Sequence, residues 1–146
     1  MKAYFGRRYG FSASHRLHTD ELSEAENRAT YGKCNHPFGH GHNYVVEITV
    51  GGPVDPDTGM VCNLVDLDAC VREQVLEPFD HTNLNLLSCF EKLVPTTENL
   101  CIEIDRRIRQ AFREAEIFSV RVEETNNNFF EIEHSAPGTG STAGRK

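Results

Sequence analysis

Three histidines stand in a pattern that could hold a metal ion. His40-Gly41-His42 places two imidazoles on the same side of an extended strand, because strand side chains alternate between two faces. His15 ends an earlier alternating segment and falls in its apolar register. Neutral imidazoles from two neighbouring strands can bind Zn²⁺ and leave a fourth position open for chemistry. We therefore predict a metal site formed by His15, His40 and His42, rather than three hydrogen-bonded core histidines.

A cysteine lies close to these histidines along the chain. Cys34 follows Lys33, and a cation and imidazoles nearby favour the thiolate, which makes Cys34 a candidate base or nucleophile. One alternative is a closed structural site in which Cys34 is a fourth ligand beside the three histidines. Another is an inert loop cysteine. The remaining cysteines fall in or beside apolar segments and are predicted to pack in the core: Cys62, Cys70, Cys89 and Cys101.

Two acidic positions could assist catalysis or binding. Asp80 precedes His81, and a carboxylate can fix the tautomer of an imidazole in a proton relay. Glu124 falls in the inward register of an alternating segment, and a buried carboxylate needs a partner. A heterocyclic ligand with two parallel N–H donors would match its two oxygens. The alternatives are a surface pair at Asp80-His81 and a solvent-exposed strand end at Glu124.

Four strands and two helices must position these side chains. Alternation of apolar and polar residues predicts strands over residues 1–15, 40–50, 118–125 and 129–133. Apolar residues at helical spacing predict helices over about 64–77 and 97–115. Thr96 or Thr97 can cap the second helix, with Glu98 in its first turn. The order β-β-α-α-β-β predicts an α+β fold, a four-stranded antiparallel sheet with two helices packed on one face.

The segments outside these elements have different characters. Residues 16–39 are polar and turn-rich, and a loop this long in a small domain is often functional. Residues 135–146 are rich in Gly, Ser, Thr and Ala, which predicts a disordered tail. We therefore expect one catalytic domain over residues 1–134.

The composition excludes several classes of protein. A chain of 146 residues with 38% hydrophobic content can bury the core of one domain. Its formal net charge of −7 argues against a nucleic-acid partner. No apolar window has the length of a membrane span, and the charged N-terminal residues do not form a secretory signal. Five cysteines without a Cys-x-x-Cys pair then indicate free thiols and a cytoplasmic protein.

Taken together, these features resemble the 6-pyruvoyl-tetrahydropterin synthase family. The matching segments follow the family's order from the first strand to the last. They are Phe11–Leu17, Gly32–Tyr44, Asp55–Met60, Asn63–Leu67, Leu76–Leu84, Thr96–Asn99 and Val122–Asn128.

The resemblance implies a fold, an assembly and a reaction. The family has the tunnelling fold and forms a homohexamer of two trimers with active sites at subunit interfaces. Its members are zinc lyases that convert 7,8-dihydroneopterin triphosphate to 6-pyruvoyl-tetrahydropterin, and Mg²⁺ could accompany the triphosphate. The family's site residues fall on the zinc ligands His15, His40 and His42, the catalytic Cys34, Asp80 and His81, the pterin-anchoring Glu124, and the pocket residues Thr96, Thr97 and Glu98.

Three other functions are compatible with part of this pattern. Relatives that make 6-carboxytetrahydropterin for 7-deazaguanine synthesis usually have a shorter segment than the one between Cys34 and His40. A non-catalytic, zinc-stabilised pterin-binding module would use the same histidines. A zinc hydrolase ranks last, because no carboxylate base stands beside them in a His-x-x-Glu-His pattern. His36 replaces an Asn common in the family, and we expect it to face water.

The sequence leaves the triphosphate-binding residues open. The basic candidates are Arg7, Arg8, Arg16 and Lys33, and their spacing does not choose among them.

Overall fold

The computed structural model describes residues 1–134 and contains five strands in one sheet. The strands are β1 (Lys2–His15), β2 (His40–Pro53), β3 (Thr82–Asn83), β4 (Glu116–Thr125) and β5 (Asn128–Glu133). The helices are α1 (Glu24–Tyr31), α2 (Leu64–Val71), α3 (Glu77–Phe79) and α4 (Thr97–Ala111). The predicted disordered tail over 135–146 lies outside the described residues. Within residues 1–134, no helix combines the length and apolar character that crossing a bilayer requires.

The sheet is mixed, which corrects the predicted four-stranded antiparallel sheet. Its strand order is β3-β1-β2-β4-β5, and β3 pairs parallel to β1 while the other pairs are antiparallel. β3 has only two residues, too few to show the alternation by which the longer strands are recognised. The α+β class and the four longer strands are as predicted.

The pairing of β1 with β2 brings two of the three histidines face to face. His15 pairs with His40 and Ala13 with His42, and the register runs without a shift to the far end of both strands. The same face carries the core, where Phe11 and Tyr44 stack with ring centroids 5.2 Å apart. The histidines therefore stand at the end of an apolar sheet face, where one strand finishes and the next begins.

The predicted first helix, over 64–77, is extended and irregular in the structure. Asn63 caps α2 by accepting a hydrogen bond from the Val65 amide at 2.8 Å. A π-helical turn, Arg72–Leu76, joins α2 to α3. Pro78 lies in α3, directly after this π-helical turn. The predicted apolar stripe packs in the core with no exposed surface at Leu67, Val71 and Val75.

The second predicted helix is α4, and it ends at Ala111 rather than near residue 115. Thr96 caps it by accepting a hydrogen bond from the Asn99 amide at 3.1 Å. Its stripe of Leu100, Ile104 and Ile108 is fully buried against the sheet.

Two sequence predictions fail in the remaining elements. Residues 16–39 are not all loop, because α1 forms within them behind the capping box of Ser23 and Glu26. Phe118 does not face the core as its alternation predicted. The β2–β4 register shifts between Thr49 and Val50, so Ile117 takes the buried position.

Candidate metal centre and pterin cavity

The structure brings the three histidines and Cys34 together. The Nε2 atoms of His40 and His42 are 2.9 Å apart, and the ring centroid of His15 lies 5.4 Å and 5.0 Å from theirs. One ligand atom from each histidine and the sulfur of Cys34 all lie within 4.8 Å of one another. We call these four residues the histidine cluster.

His15 is held in the form that a metal ligand requires. Its Nδ1 lies 3.1 Å from the Pro95 carbonyl, which can only accept, so Nδ1 carries the hydrogen and Nε2 keeps its lone pair. The Tyr44 hydroxyl also lies 3.1 Å from this Nδ1. Nε2 is buried and has no hydrogen-bond partner among the described residues. Burial, with smaller contributions from His42 and His40, lowers the pKa of His15 to about 4, which keeps it neutral.

These properties fit a metal ion. A buried nitrogen lone pair without a partner is costly, and it points into a group of other metal-ligating atoms. Three nitrogens and a thiolate are donors that suit Zn²⁺. Both the open three-histidine site and the closed site with Cys34 are compatible with this arrangement.

Cys34 lies within contact distance of a histidine in the cluster, but its protein surroundings disfavour the thiolate. Its sulfur is 3.4 Å from Nε2 of His40. Burial and then the Glu124 carboxylate raise the pKa of this thiol. The expectation that Lys33 makes Cys34 more acidic is therefore wrong for this arrangement of protein groups. Lys33 is exposed, whereas the thiol is partly buried near a negative charge.

Glu124 faces inward and is fixed by two neighbours. Its Oε2 accepts a hydrogen bond from the Thr97 hydroxyl at 2.9 Å, and its Oε1 accepts one from the Asn128 amide at 3.1 Å. Oε2 also lies 3.6 Å from Nε2 of His42 and 3.8 Å from Nε2 of His15. Burial alone would raise the pKa of Glu124, but these hydrogen bonds and the two imidazoles outweigh it and hold the pKa below its ordinary value.

One cavity connects Glu124 with Cys34. It has a volume of about 430 Å³, and the Thr96-Thr97-Glu98 segment at the start of α4 lines it as well. Tyr31, Phe129 and Phe130 provide aromatic walls. We call this space the pterin cavity, after the ligand that the family resemblance implies. A flat heterocycle could lie between its aromatic rings with the polar edge on the fixed carboxylate.

Asp80 and His81 belong neither to the histidine cluster nor to the lining of the pterin cavity. Asp80 Oδ2 lies 3.0 Å from His81 Nδ1, and Asp80 Oδ1 accepts a hydrogen bond from the Ser12 amide at 2.9 Å. That amide hydrogen bond, above the contribution of His81, holds the pKa of Asp80 below its usual range. His81 is highly exposed and lines a different cavity from Cys34, together with Ser12, Ser14 and Asn43. The lining of this cavity also includes His42 of the histidine cluster.

His81 also has an unusual backbone conformation. Its φ of 59° lies in the left-handed region, which non-glycine residues seldom adopt, and its amide donates a hydrogen bond to the Ser12 carbonyl at 2.6 Å. Such strain is often found at functional positions. The sequence dipeptide gave no sign of this turn.

Asn128 is a residue of the pterin cavity that the sequence analysis did not identify. The run Asn126-Asn127-Asn128 predicts a hairpin turn, and it does connect β4 to β5. The hydrogen bond from Asn128 to Glu124 depends on the geometry of that turn, which residue types alone do not specify. His36 is exposed, in agreement with the expectation that it faces water.

Comparisons with known proteins agree with this geometry. The family profile described as 6-pyruvoyl tetrahydropterin synthase matches residues 4–135. A 6-pyruvoyl tetrahydrobiopterin synthase from Poecilia reticulata is 48% identical over 126 residues, 86% of each chain. The protein of that name from Homo sapiens is 45% identical over 128 residues, 87% of this chain and 88% of its own.

A solved structure shares the fold. That of Caenorhabditis elegans 6-pyruvoyl tetrahydropterin synthase superposes with a TM-score of 0.87 at 39% identity, covering 92% of this chain and 97% of its own. The profile match and these identities extend over nearly the whole described chain. The chain therefore belongs to the 6-pyruvoyl tetrahydropterin synthase family.

Proposed function

We propose that this chain is a zinc-dependent lyase that converts 7,8-dihydroneopterin triphosphate to 6-pyruvoyl-tetrahydropterin with release of triphosphate. The observation that carries the proposal is the single cavity in which a fixed carboxylate, Glu124, and a thiol, Cys34, adjoin a group of three histidines. The names of the family and of its similar members support the substrate and the product.

His15, His40 and His42 would hold the zinc ion. When bound, zinc acts as a Lewis acid on the hydroxyl oxygens of the substrate side chain and acidifies the attached C–H bonds. The Pro95 carbonyl sets the tautomer of His15 by accepting a hydrogen bond from its Nδ1. Burial keeps this imidazole neutral.

The remaining groups bind the substrate and move its proton. Glu124 accepts two N–H donors from the pterin edge, while Thr97 and Asn128 keep the carboxylate in place. Cys34 removes a proton from the side chain of the substrate as the thiolate, a form that its protein surroundings disfavour and that a zinc ion held beside it would favour. The electron pair left on carbon expels triphosphate by breaking its C–O bond, and tautomerisation gives the diketone. Because oxidation and reduction are internal to the substrate, the reaction needs no nicotinamide or flavin.

The separate position of the Asp80-His81 pair supports a shared active site. Within one chain, His81 lines a different cavity from Cys34, although that cavity shares His42 with the histidine cluster. We propose that a second copy brings its own His81 to the pterin cavity, in a homohexamer of two trimers whose sites lie between subunits. The catalytic domain would span residues 1–134, the enzyme would be cytoplasmic, and Mg²⁺ could accompany the triphosphate.

Product analysis tests this function directly. Purified zinc-loaded protein is incubated with 7,8-dihydroneopterin triphosphate, and the pterin that forms is identified by mass spectrometry. We expect 6-pyruvoyl-tetrahydropterin and one triphosphate per turnover. Formation of 6-carboxytetrahydropterin would assign the alternative activity, and no turnover with tight pterin binding would assign the non-catalytic module.

A further inference from the structure

A third cavity lies beside the histidine cluster. It has a volume of about 590 Å³, and its lining includes Arg16, Arg28, Lys33, Glu24 and His40. We call it the basic cavity. It shares His40 with the cluster, and it includes the chain neighbours of two other cluster members, since Arg16 follows His15 and Lys33 precedes Cys34. The cavity therefore adjoins the histidine cluster at His40.

The cations of this cavity are available for a ligand. Arg16, Arg28 and Lys33 form no ion pair within residues 1–134. Glu24 is the acidic residue in the lining, so three positive charges face one negative charge. In a chain whose formal net charge is −7, this local excess of positive charge is suited to a polyanion.

The other two basic candidates from the sequence, Arg7 and Arg8, already form ion pairs with acidic side chains. Arg7 forms a two-point ion pair with Asp68, at 2.7 Å and 3.0 Å. Arg8 donates to Glu47 at 2.8 Å. Neither arginine lines the basic cavity.

The backbone and side chain of Arg16 are held in place. Asn85 bonds the Arg16 backbone on both sides, accepting from its amide at 2.7 Å and donating to its carbonyl at 2.9 Å. Nε of Arg16 donates to the Asn35 carbonyl at 3.2 Å. This arrangement restrains the guanidinium before any ligand binds, which lowers the entropic cost of binding.

The chemistry of the proposed substrate requires such a cavity. The triphosphate is attached to the same short side chain whose hydroxyl oxygens would meet the cluster, so it must lie next to the cluster when the pterin ring contacts Glu124. When the C–O bond breaks, the departing triphosphate keeps the electron pair and gains negative charge. Cations at that place stabilise the transition state more than the ground state.

We propose that the basic cavity binds the triphosphate of the substrate through Arg16, Arg28 and Lys33, a refinement that rests on the proposed function. Arg28, which the sequence did not single out, is placed there by α1. The segment predicted as a functional loop thus supplies one side of the polyphosphate site.

Inorganic tripolyphosphate is a direct probe of this site. We measure its binding to the zinc-loaded wild type by isothermal titration calorimetry at fixed ionic strength. Arg28→Ala and Lys33→Ala should each weaken binding roughly tenfold or more, since one charge-assisted hydrogen bond contributes about 1.5–3 kcal/mol. Lys92→Ala, which removes an exposed cation outside the cavity, should leave tripolyphosphate binding unchanged. Zinc content and binding of unphosphorylated dihydroneopterin should not change in any of these variants.

The outcomes separate this proposal from the proposed function. Tripolyphosphate binding that is equally strong in Arg28→Ala and Lys33→Ala, or equally weakened in Lys92→Ala, would overturn the assignment of the cavity. Arg28-dependent binding with no turnover of 7,8-dihydroneopterin triphosphate would support a polyphosphate site and reject the lyase. Turnover with a raised KM in Arg28→Ala and Lys33→Ala would support both.

Discussion

His15 and Cys34 belong to the same histidine cluster but differ in burial and in hydrogen bonding. His15 is fully enclosed, and its Nε2 has no hydrogen-bond partner among the described residues. Cys34 is partly exposed, and its sulfur is 3.4 Å from an imidazole nitrogen. The first environment suits a permanent metal ligand, and the second suits a group that must reach a substrate. Cys34 is therefore the residue whose replacement best separates catalysis from structure.

Replacing Cys34 with Ala should abolish turnover and leave zinc bound. A positioned proton-transfer group contributes roughly 10²–10⁴-fold to rate, so we expect a loss of that order. Steady-state kinetics and metal analysis of the same preparation measure both properties. Loss of zinc together with activity would instead indicate that Cys34 completes a closed His₃Cys site.

Replacing Glu124 with Gln should weaken pterin binding. The variant keeps the shape but loses a charge-assisted, two-point contact, so dihydroneopterin affinity should fall roughly tenfold or more. Fluorescence titration measures the affinity. Thr97→Val is a milder companion, because it removes only the hydroxyl that fixes Glu124. Unchanged affinity in Glu124→Gln would show that the pterin edge binds elsewhere.

How far residues can be predicted depends on whether their position follows from local periodicity. The shared face of His40 and His42, and the inward direction of Glu124, follow from the two-residue repeat of a strand. The hydrogen bond from Asn128 and the left-handed turn at His81 depend on loop geometry, which this repeat does not describe. The sequence accordingly predicted which side chains share a face but not the groups that support them.

At the scale of elements, α1 shows why a polar helix escapes periodicity analysis. Asn27 is the buried residue of α1, and hydrogen bonds rather than apolar contacts attach it to the preceding segment. Its amide donates to the Thr19 and Leu22 carbonyls at 2.9 Å and 3.1 Å, while its oxygen accepts from the Thr19 amide. A pattern search for apolar stripes finds nothing here, whereas it finds α2 and α4 readily.

Removing the cap of α1 should lower stability. Ser23→Ala deletes the hydroxyl that accepts from the Glu26 amide at 3.1 Å, and we expect a loss of about 0.5–2 kcal/mol in the free energy of unfolding. Urea denaturation measures it. Ser23→Asn, which retains a capping side chain, is the matched control and should stay close to wild type. Equal losses in both variants would indicate that the serine acts by packing.

Helix α4 contains two ion pairs of Glu103 whose contribution to the free energy of unfolding should depend on pH. Glu103 accepts from Nη2 of Arg106 at 2.6 Å and from Nε of Arg107 at 2.7 Å. Burial would raise the pKa of Glu103, but these two hydrogen bonds outweigh it and leave the pKa below its ordinary value of 4.5. The stabilisation is therefore present above the unfolded-state pKa and is lost as pH falls through the lower folded-state pKa.

The variant Glu103→Gln tests this pH dependence. The difference in unfolding free energy between wild type and Glu103→Gln should be constant near neutral pH and should shrink in the acid range below 4.5. Urea titrations at a series of pH values measure the difference. The control is Glu91→Gln, at an exposed glutamate that forms no ion pair within residues 1–134. A difference that does not change with pH would contradict the assigned cause.

At the scale of the whole molecule, the site is assembled from distant parts of the chain. The first turn of α4 and the β4–β5 turn line the pterin cavity, while the end of β1 and the start of β2 bring the histidines together beside Cys34. Alternation and order predict the four long strands and hence the meeting of β1 with β2. The parallel pairing of β3 with β1 is a long-range contact between short polar segments, so the edge of the sheet that carries His81 could not be predicted.

Cys34 and His81 line different cavities in one chain, so we predict that copies of the chain cooperate in one active site. If His81 of one subunit serves the pterin cavity of another, Cys34→Ala and His81→Ala should each be inactive alone yet complement each other. After the two variants are unfolded and refolded together in equal amounts, about a quarter of interface sites should contain both native residues. Activity should therefore return to roughly one quarter of the wild-type value per chain, while each variant refolded alone stays inactive. Zinc content and sedimentation velocity of each preparation confirm that the variants fold and assemble. A mixture that remains inactive despite mixed assemblies would show that Cys34 and His81 must act within one chain, and a fully active His81→Ala would remove the relay from the mechanism.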